Sequence, residues 1–239
     1  MIRDIIRKIF FPEDIKCIIC DAELSAKTRF GVCDNCSFDY NTKFCNHCGR
    51  NIGENHANFC LGCMNTKSTY YDIARAPVVF TNNAVHIIHK LKYGGAKYLV
   101  PYLAEYIYSC YLENGLSADY VTCVPMHDKR KSERGYNQAE LIAKQFSKIA
   151  NVEYVESLKR VKYTTNLARM NKESRNEAIS GVFEYCSSVE LKNKNVLLID
   201  DVFTSGSTTN ECARVLKSKK VSTVTVLTFA TAKEKPILY

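Results

Sequence analysis

The chain has 239 residues, 46% of them hydrophobic, enough for one sizeable core and a smaller unit beside it. Its formal charge is +8, carried beyond residue 70, because the first 70 residues hold nine Lys/Arg against eight Asp/Glu. No apolar run approaches the length of a membrane span, which argues against membrane insertion. Residues 2–10 are broken by Asp4 and Arg7, which a signal-peptide core does not tolerate, so a cytoplasmic location is expected.

Ile2, Ile5, Ile6 and Ile9 fall at helical spacing and predict a short amphipathic helix docked on the body. Eight of the twelve cysteines then form four C-x-x-C pairs: Cys17/Cys20, Cys33/Cys36, Cys45/Cys48 and Cys60/Cys63. In a cytoplasmic chain such usage argues for metal rather than disulfides. Two thiolates three positions apart on a tight turn bite one side of a tetrahedral Zn²⁺, so four pairs close up to two structural sites with no open position for chemistry. Gly49, directly after Cys48, suits the turn that wraps a metal. Consecutive pairing puts Cys17, Cys20, Cys33 and Cys36 on one ion and Cys45, Cys48, Cys60 and Cys63 on the other; spacing alone leaves an interleaved cross-brace open. His47 and His56 lie inside or between complete pairs and read as solvated. The arrangement resembles a double zinc ribbon. Little between the pairs could build a core, so metal is expected to supply most of the local folding free energy, on the order of 10 kcal/mol per ion.

Residues 1–64 are thus expected to hold the short helix and the ribbon, 65–75 a linker, and 76–239 the main domain. Residues 76–80 (APVVF) predict a strand, and 81–93 a helix with Val85, Ile88 and Leu91 inward and Gly94-Gly95 as its stop. Lys90 and Lys92 fall near that stop, where they either complement the helix C-terminus or face a ligand. A helix over 97–113 follows, with Pro101 near its start; Tyr98, Tyr102, Tyr106, Tyr108 and Tyr111 read as packing and rim residues. After a strand at 120–124 comes a loop bearing Lys129, Arg130, Lys131 and Arg134, then a helix over 139–150 that buries Leu141, Ile142, Phe146 and Ile149. In an open α/β sheet ligands bind at such a strand end, and guanidinium pairs suit a polyanion.

Residues 156–183 hold Lys159, Arg160, Lys162, Arg169, Lys172 and Arg175 without strong periodicity and read as a mobile basic loop. The run 196–217, VLLIDDVFTSGSTTNECARVLK, has three parts. Val196–Ile199 is a short apolar strand buried on both faces, and Asp200 and Asp201 end it. Thr204, Ser205, Gly206, Ser207 and Thr208 pack four hydroxyls and a glycine directly before a helical pattern. Backbone N–H groups at a helix start bind anions, so a phosphate fits there. Paired carboxylates beside a phosphate need another partner, and vicinal sugar hydroxyls or a magnesium ion serve, which makes a ribose phosphate the expected ligand. A strand over 222–229 closes the chain, and Cys110, Cys123, Cys186 and Cys212 read as small buried apolar side chains.

The run from Val196 resembles the 5-phosphoribosyl-1-pyrophosphate (PRPP) motif of type I phosphoribosyltransferases, four apolar residues then D-D-x-x-T-[TS]-G-x-T. With V-P at 124–125, Arg130 and R-G-Y-N-Q at 134–138, the chain resembles the ComF family of competence-associated phosphoribosyltransferase-like proteins, which joins a zinc ribbon to this domain. The resemblance implies an α/β type I phosphoribosyltransferase fold, a mostly parallel sheet flanked by helices, with a small zinc-ribbon domain before it. It implies that Thr204–Thr208 hold the 5-phosphate and Asp200 and Asp201 the ribose hydroxyls. Arg130 and Arg134 would sit near pyrophosphate with Mg²⁺, and the basic loop with Arg160 and Arg175 would close over PRPP. Thr164, Gly181 and Phe183 also match the family pattern; Leu167, Ala178 and Met126 stand where it commonly has glutamine, asparagine and proline, and the acceptor is not implied. Two readings follow: transfer or binding of a 5-phosphoribosyl group in connection with DNA uptake, or a non-enzymatic accessory protein that binds single-stranded DNA or senses PRPP on an inherited fold.

Overall fold

A computed structural model describes residues 16–24, 29–53, 57–65, 69–164 and 178–234. The expected N-terminal helix and His56 lie outside the described residues. The body is a parallel sheet of β1 (Ile73–Arg75), β2 (Val78–Val79), β3 (Tyr120–Cys123), β4 (Glu153–Tyr154), β7 (Asn195–Phe203) and β8 (Thr223–Thr231), in the order β1-β8-β7-β3-β4 with β2 continuing β1 along the same edge of β8. An antiparallel pair, β5 (Leu158–Arg160) and β6 (Phe183–Tyr185), stands apart.

Strict alternation along β7 divides the core in two. Leu197 and Ile199 face the layer built by α2 (Asn82–Tyr93), α3 (Val100–Glu113) and α5 (Gln138–Ala150), whose Ile87, Leu103, Ile142 and Phe146 are fully buried. Val196 and Leu198 face α6 (Ser207–Ser218) through Cys212, Ala213 and Leu216. Both faces are covered, which is why the strand reads as an unbroken apolar run. This is the type I phosphoribosyltransferase architecture expected from the motifs.

Several boundaries differ from the sequence reading, each for a physical reason. The sheet begins at Ile73, inside the stretch expected as a linker. Three residues are too few to show an alternation, and their place comes from pairing with β8 (Ile73↔Thr225). Strand β7 does not stop at the carboxylates but runs through them to Phe203, because β8 pairs with it that far (Asp200↔Thr228, Phe203↔Thr231). Helix α2 buries Ala84, Ile87, Ile88 and Leu91 and turns Val85 out to solvent. The arginine-rich loop contains a short helix, α4 (Asp128–Arg134), whose all-polar face hides its period. The basic segment is bracketed by β5 and β6, and Cys186 is exposed rather than buried.

The cysteine-rich unit, which contains the one-turn helix α1 (Leu61–Met64), packs onto the edge of the sheet. Tyr40 bridges Val78 antiparallel, Val79 donates its N–H to Asp39 O at 2.7 Å, and Asn41 donates to Pro77 O at 2.9 Å. Phe38 lies edge-on to Tyr106 and Phe229, with ring centroids 5.3 and 5.4 Å away, and Ile18 joins the same core. Burying each such side chain contributes about 2 kcal/mol. The unit is therefore held by the body as well as by its own ligands.

Candidate functional site

The strand–loop–helix run at 196–217 folds as one turn around a small polar hollow, a geometry that suits an anion. Gly206 caps α6 with φ +79°, and a Cβ there would also sit 2.6 Å from the Phe203 ring, so both backbone and packing require glycine. Ser205 and Ser207 hydroxyls lie 3.0 Å apart, and Thr209 Oγ1 donates to Gly206 O at 3.0 Å. With Thr204 and Thr208 they surround a hollow of about 30 Å³. The first turn of α6 carries no acidic residue, which leaves the positive end of its dipole uncancelled.

The hollow opens beside a cleft of about 300 Å³, with Asp200, Asp201, Thr204 and Thr208 on one wall. Arg130 and Arg134, from α4, and Arg160, from β5, line it too, with Phe80, Tyr93 and Met126 supplying apolar surface. Arg134 lies with its guanidinium 5.1 Å from the Tyr93 ring centre. Arg160 donates to Thr164 Oγ1 and stacks over Phe183, so β6 positions it. The loop that carries the arginines is fixed by Asn137, which donates to Val124 O at 3.0 Å and accepts from Ala139 N at the start of α5. The other end of the basic segment is held where Gly181 donates its N–H to Glu211 of α6 at 2.8 Å. Of the residues expected at the site, all but Arg175, which lies outside the described residues, come together here.

Lys92 is the member the sequence left ambiguous. Its Nζ lies 2.7 Å from Asp201 Oδ2, and the pair is largely buried. Burial works against the ammonium, but the charge and hydrogen bond of Asp201 outweigh it and raise its pKa. Asp200 is pushed up to about 7, chiefly by burial and then by Asp201, against the opposing pull of Lys92 and Arg160. The signal for Lys92 was its place at the end of a helix just before Gly94-Gly95; its aim into the cleft needed the packing of α2. Lys90, one turn-face away, instead pairs with Asp21 at 3.0 Å.

The cysteines gather by consecutive pairing: Cys17, Cys20, Cys33 and Cys36 in one group, Cys45, Cys48, Cys60 and Cys63 in the other, each with all Sγ atoms within 4.8 Å of one another. Separations of 3.8 Å (Cys20–Cys33) and 3.5 Å (Cys48–Cys60) fit the edge of a tetrahedron built on Zn–S bonds of ~2.3 Å. Both groups fit structural zinc. His47 stacks on Tyr71 and bonds Thr69 Oγ1 at 2.7 Å, outside either group.

Comparison with known proteins matches residues 5–90 to the PHF5-like protein family and residues 132–238 to the phosphoribosyl transferase domain family. Competence protein F of Haemophilus influenzae is 25% identical over 227 residues, spanning 92% of this chain and 98% of that protein. DNA utilization protein YhgH of Escherichia coli (strain K12) is 23% identical over 218 residues, 88% of this chain and 94% of that protein. The pre-mRNA-splicing factor RDS3 of Saccharomyces cerevisiae is 44% identical over 50 residues, 21% of this chain and 47% of that protein. Among solved structures, the glutamine PRPP amidotransferase of B. subtilis superposes with a TM-score of 0.35 at 20% identity, over 60% of this chain and 27% of that one, so this chain spans about a quarter of that enzyme's length. The adenine phosphoribosyltransferase of Thermoanaerobacter pseudethanolicus superposes with a TM-score of 0.38 at 12% identity, over 57% and 82%. The match to competence protein F runs through both the cysteine-rich unit and the phosphoribosyl transferase domain, so the likeness expected from the motifs extends over nearly the whole chain.

Proposed function

We propose that the chain binds PRPP across the cleft and acts as a phosphoribosyltransferase-type protein connected with DNA uptake in the cytoplasm. It would be divided into a zinc-binding unit up to residue 64 and a catalytic-type body whose sheet begins at Ile73. One observation carries the reading: Lys92, Arg130, Arg134 and Arg160 line a single cleft whose end is the phosphate-sized hollow and whose wall is Asp200 and Asp201. Thr204–Thr208 hold the 5-phosphate, the two carboxylates accept from the ribose hydroxyls, and Arg130 and Arg134 face the pyrophosphate. Arg160, with Arg175, closes over the ligand and limits access of water to C1. Bound Mg²⁺ supplies neutralisation of pyrophosphate charge, which the four cations assist. A nucleophile, commonly a base nitrogen in such enzymes, attacks C1 as the C1–O bond to pyrophosphate breaks, and the residues of the cleft position the groups and stabilise charge.

Titration calorimetry with PRPP and Mg²⁺ tests this. Wild type is expected to bind and Asp200→Asn/Asp201→Asn to lose binding; no heat with wild type overturns the reading. The names of the competence and DNA utilization relatives, together with exposed Phe59, Leu61 and Met64 beside the second cysteine group, favour a second role in binding single-stranded DNA. A salt series of single-stranded DNA binding by the full chain, with Phe59→Ala and Leu61→Ala beside it, tests that role; affinity unchanged in both variants counts against these side chains as the DNA surface.

A further inference from the structure

Arg50 follows the Cys45-x-x-Cys48 turn and belongs to it by backbone: Cys45 donates its N–H to Arg50 O at 2.9 Å. Its side chain leaves the turn and reaches the other half of the molecule. Nη2 donates to Thr204 O at 2.9 Å, the first residue of the phosphate loop. Nη1 lies against Gly62, between Cys60 and Cys63: a Cβ at Gly62 would be 3.5 Å from Nη1 and 3.8 Å from Cys60 Sγ. One guanidinium therefore spans the second cysteine group and the loop. Its Nε is buried without a partner among the described residues, a cost that a plain packing role would not require.

The chemistry of the link is directional. Four thiolates around Zn²⁺ carry net negative charge, so metal in the second group holds the guanidinium in place, as outer-shell partners do in zinc sites. Among the described residues no peptide bond is cis, and in a trans peptide C=O and N–H point opposite ways. Holding Thr204 O from behind thus turns the Ser205 N–H to the far side of the loop from Arg50. Arg50 lines neither the hollow nor the cleft, so it acts on a ligand only through the loop. We propose that Arg50 is a positioning residue that couples the Cys45/Cys48/Cys60/Cys63 zinc site to the phosphate loop, so that zinc in that site and a sugar phosphate in the cleft strengthen each other's binding. The inference rests on the ribose-phosphate reading of the cleft.

Linkage makes this reciprocal: whatever factor zinc gives to ligand affinity, the ligand returns to zinc. The test uses full-length, zinc-loaded protein and ribose 5-phosphate without magnesium. Calorimetry of Arg50→Met is expected to show about five- to twentyfold weaker binding, within the usual range of coupling between sites, with zinc content and circular dichroism unchanged. Arg50→Lys, which keeps a donor, is expected to recover part of the loss. In wild type, saturating ribose 5-phosphate should raise the equilibrium affinity of the second site for zinc against a competing chelator, and in Arg50→Met it should not. With cobalt in place of zinc, ribose 5-phosphate should shift the thiolate charge-transfer bands of wild type alone. Equal affinity in Arg50→Met, or weaker affinity with zinc retention in wild type unmoved by the ligand, overturns the inference while the cleft reading stands. Wild type that binds neither ribose 5-phosphate nor PRPP overturns the cleft reading and the coupling with it. Should Arg50→Met shed its second zinc, retention in wild type decides alone.

Discussion

The two cysteine groups offer the same four ligands and are embedded differently. In the first group Cys17 is buried, Cys20 is exposed, and Cys33 and Cys36 are half-buried. It meets the body through Ile18 and through surface ion pairs, Lys90–Asp21 and Arg29–Glu105. In the second, Cys45, Cys48 and Cys60 are buried and share a core with Tyr71, Phe203 and Val226. It is tied to the body by Arg50 to Thr204 and by Leu61 N–H to Glu234 Oε1 at 2.7 Å. The same four ligands thus serve two ends: one group closes a local turn, and the other is part of the wall behind the hydroxyl-rich loop at 204–208.

The largest effect should come from removing a ligand of each group in turn. Cys48→Ser is expected to lose its metal and a large share of the ~10 kcal/mol that structural zinc contributes, lowering the melting temperature of the whole chain. Cys20→Ser should lose one zinc and leave the body's transition nearly in place. Equal melting shifts, read with zinc content, would erase the distinction.

Next comes the glycine in each turn. Gly49 has φ +64°, and a Cβ there would lie 2.3 Å from Ala74 O, on the backbone of β1. At Gly31 the obstacle is the Tyr102 ring at 2.6 Å, a side chain that can swing away. The left-handed backbone alone costs an alanine about 1–2 kcal/mol; Gly49→Ala should exceed that in denaturant unfolding, and Gly31→Ala should stay near it.

A smaller effect tests whether the cleft floor is independent of both metal sites. Asp200 titrates near 7 when folded, above its ordinary value of 3.8. Its contribution to stability is therefore fully present below about pH 4 and is lost as pH rises through about 7. Asp200→Asn should accordingly stabilise the chain most at pH 8, with the gap closing as pH falls from about 7 to 4 and zinc content unmoved throughout. A gap that is flat with pH would remove burial as the cause. The smallest effect belongs to Lys90→Ala, which breaks a surface ion pair and should cost no more than about 1 kcal/mol.

Much of this was legible in the sequence where a short stretch carries its own chemistry. Val196–Ile199, the two carboxylates and the hydroxyl-rich loop announced the strand, turn and helix start, and the four C-x-x-C pairs announced the two cysteine groups. What stayed hidden needed distant partners. Ile73–Arg75 becomes a strand only beside β8, and Asp200 and Asp201 lie within β7 because Thr228 and its neighbours extend the ladder. Lys92 had two readings until α2 packed and aimed it at Asp201. Pairing of the cysteines was open on spacing and is consecutive in space. Arg50 carried no signal at all, since 154 positions separate it from the carbonyl it holds.

The bridge from Tyr40 to Val78, with Val79 donating to Asp39 and Asn41 to Pro77, has a consequence for solubility. A bare edge strand presents unpaired backbone groups on which another chain can template itself. Here the cysteine-rich unit occupies those groups along β2, while the opposite edge is the two-residue β4. The zinc unit is thus also a cover for a self-associating border, and a chain stripped of metal should fail first by sticking to its own copies.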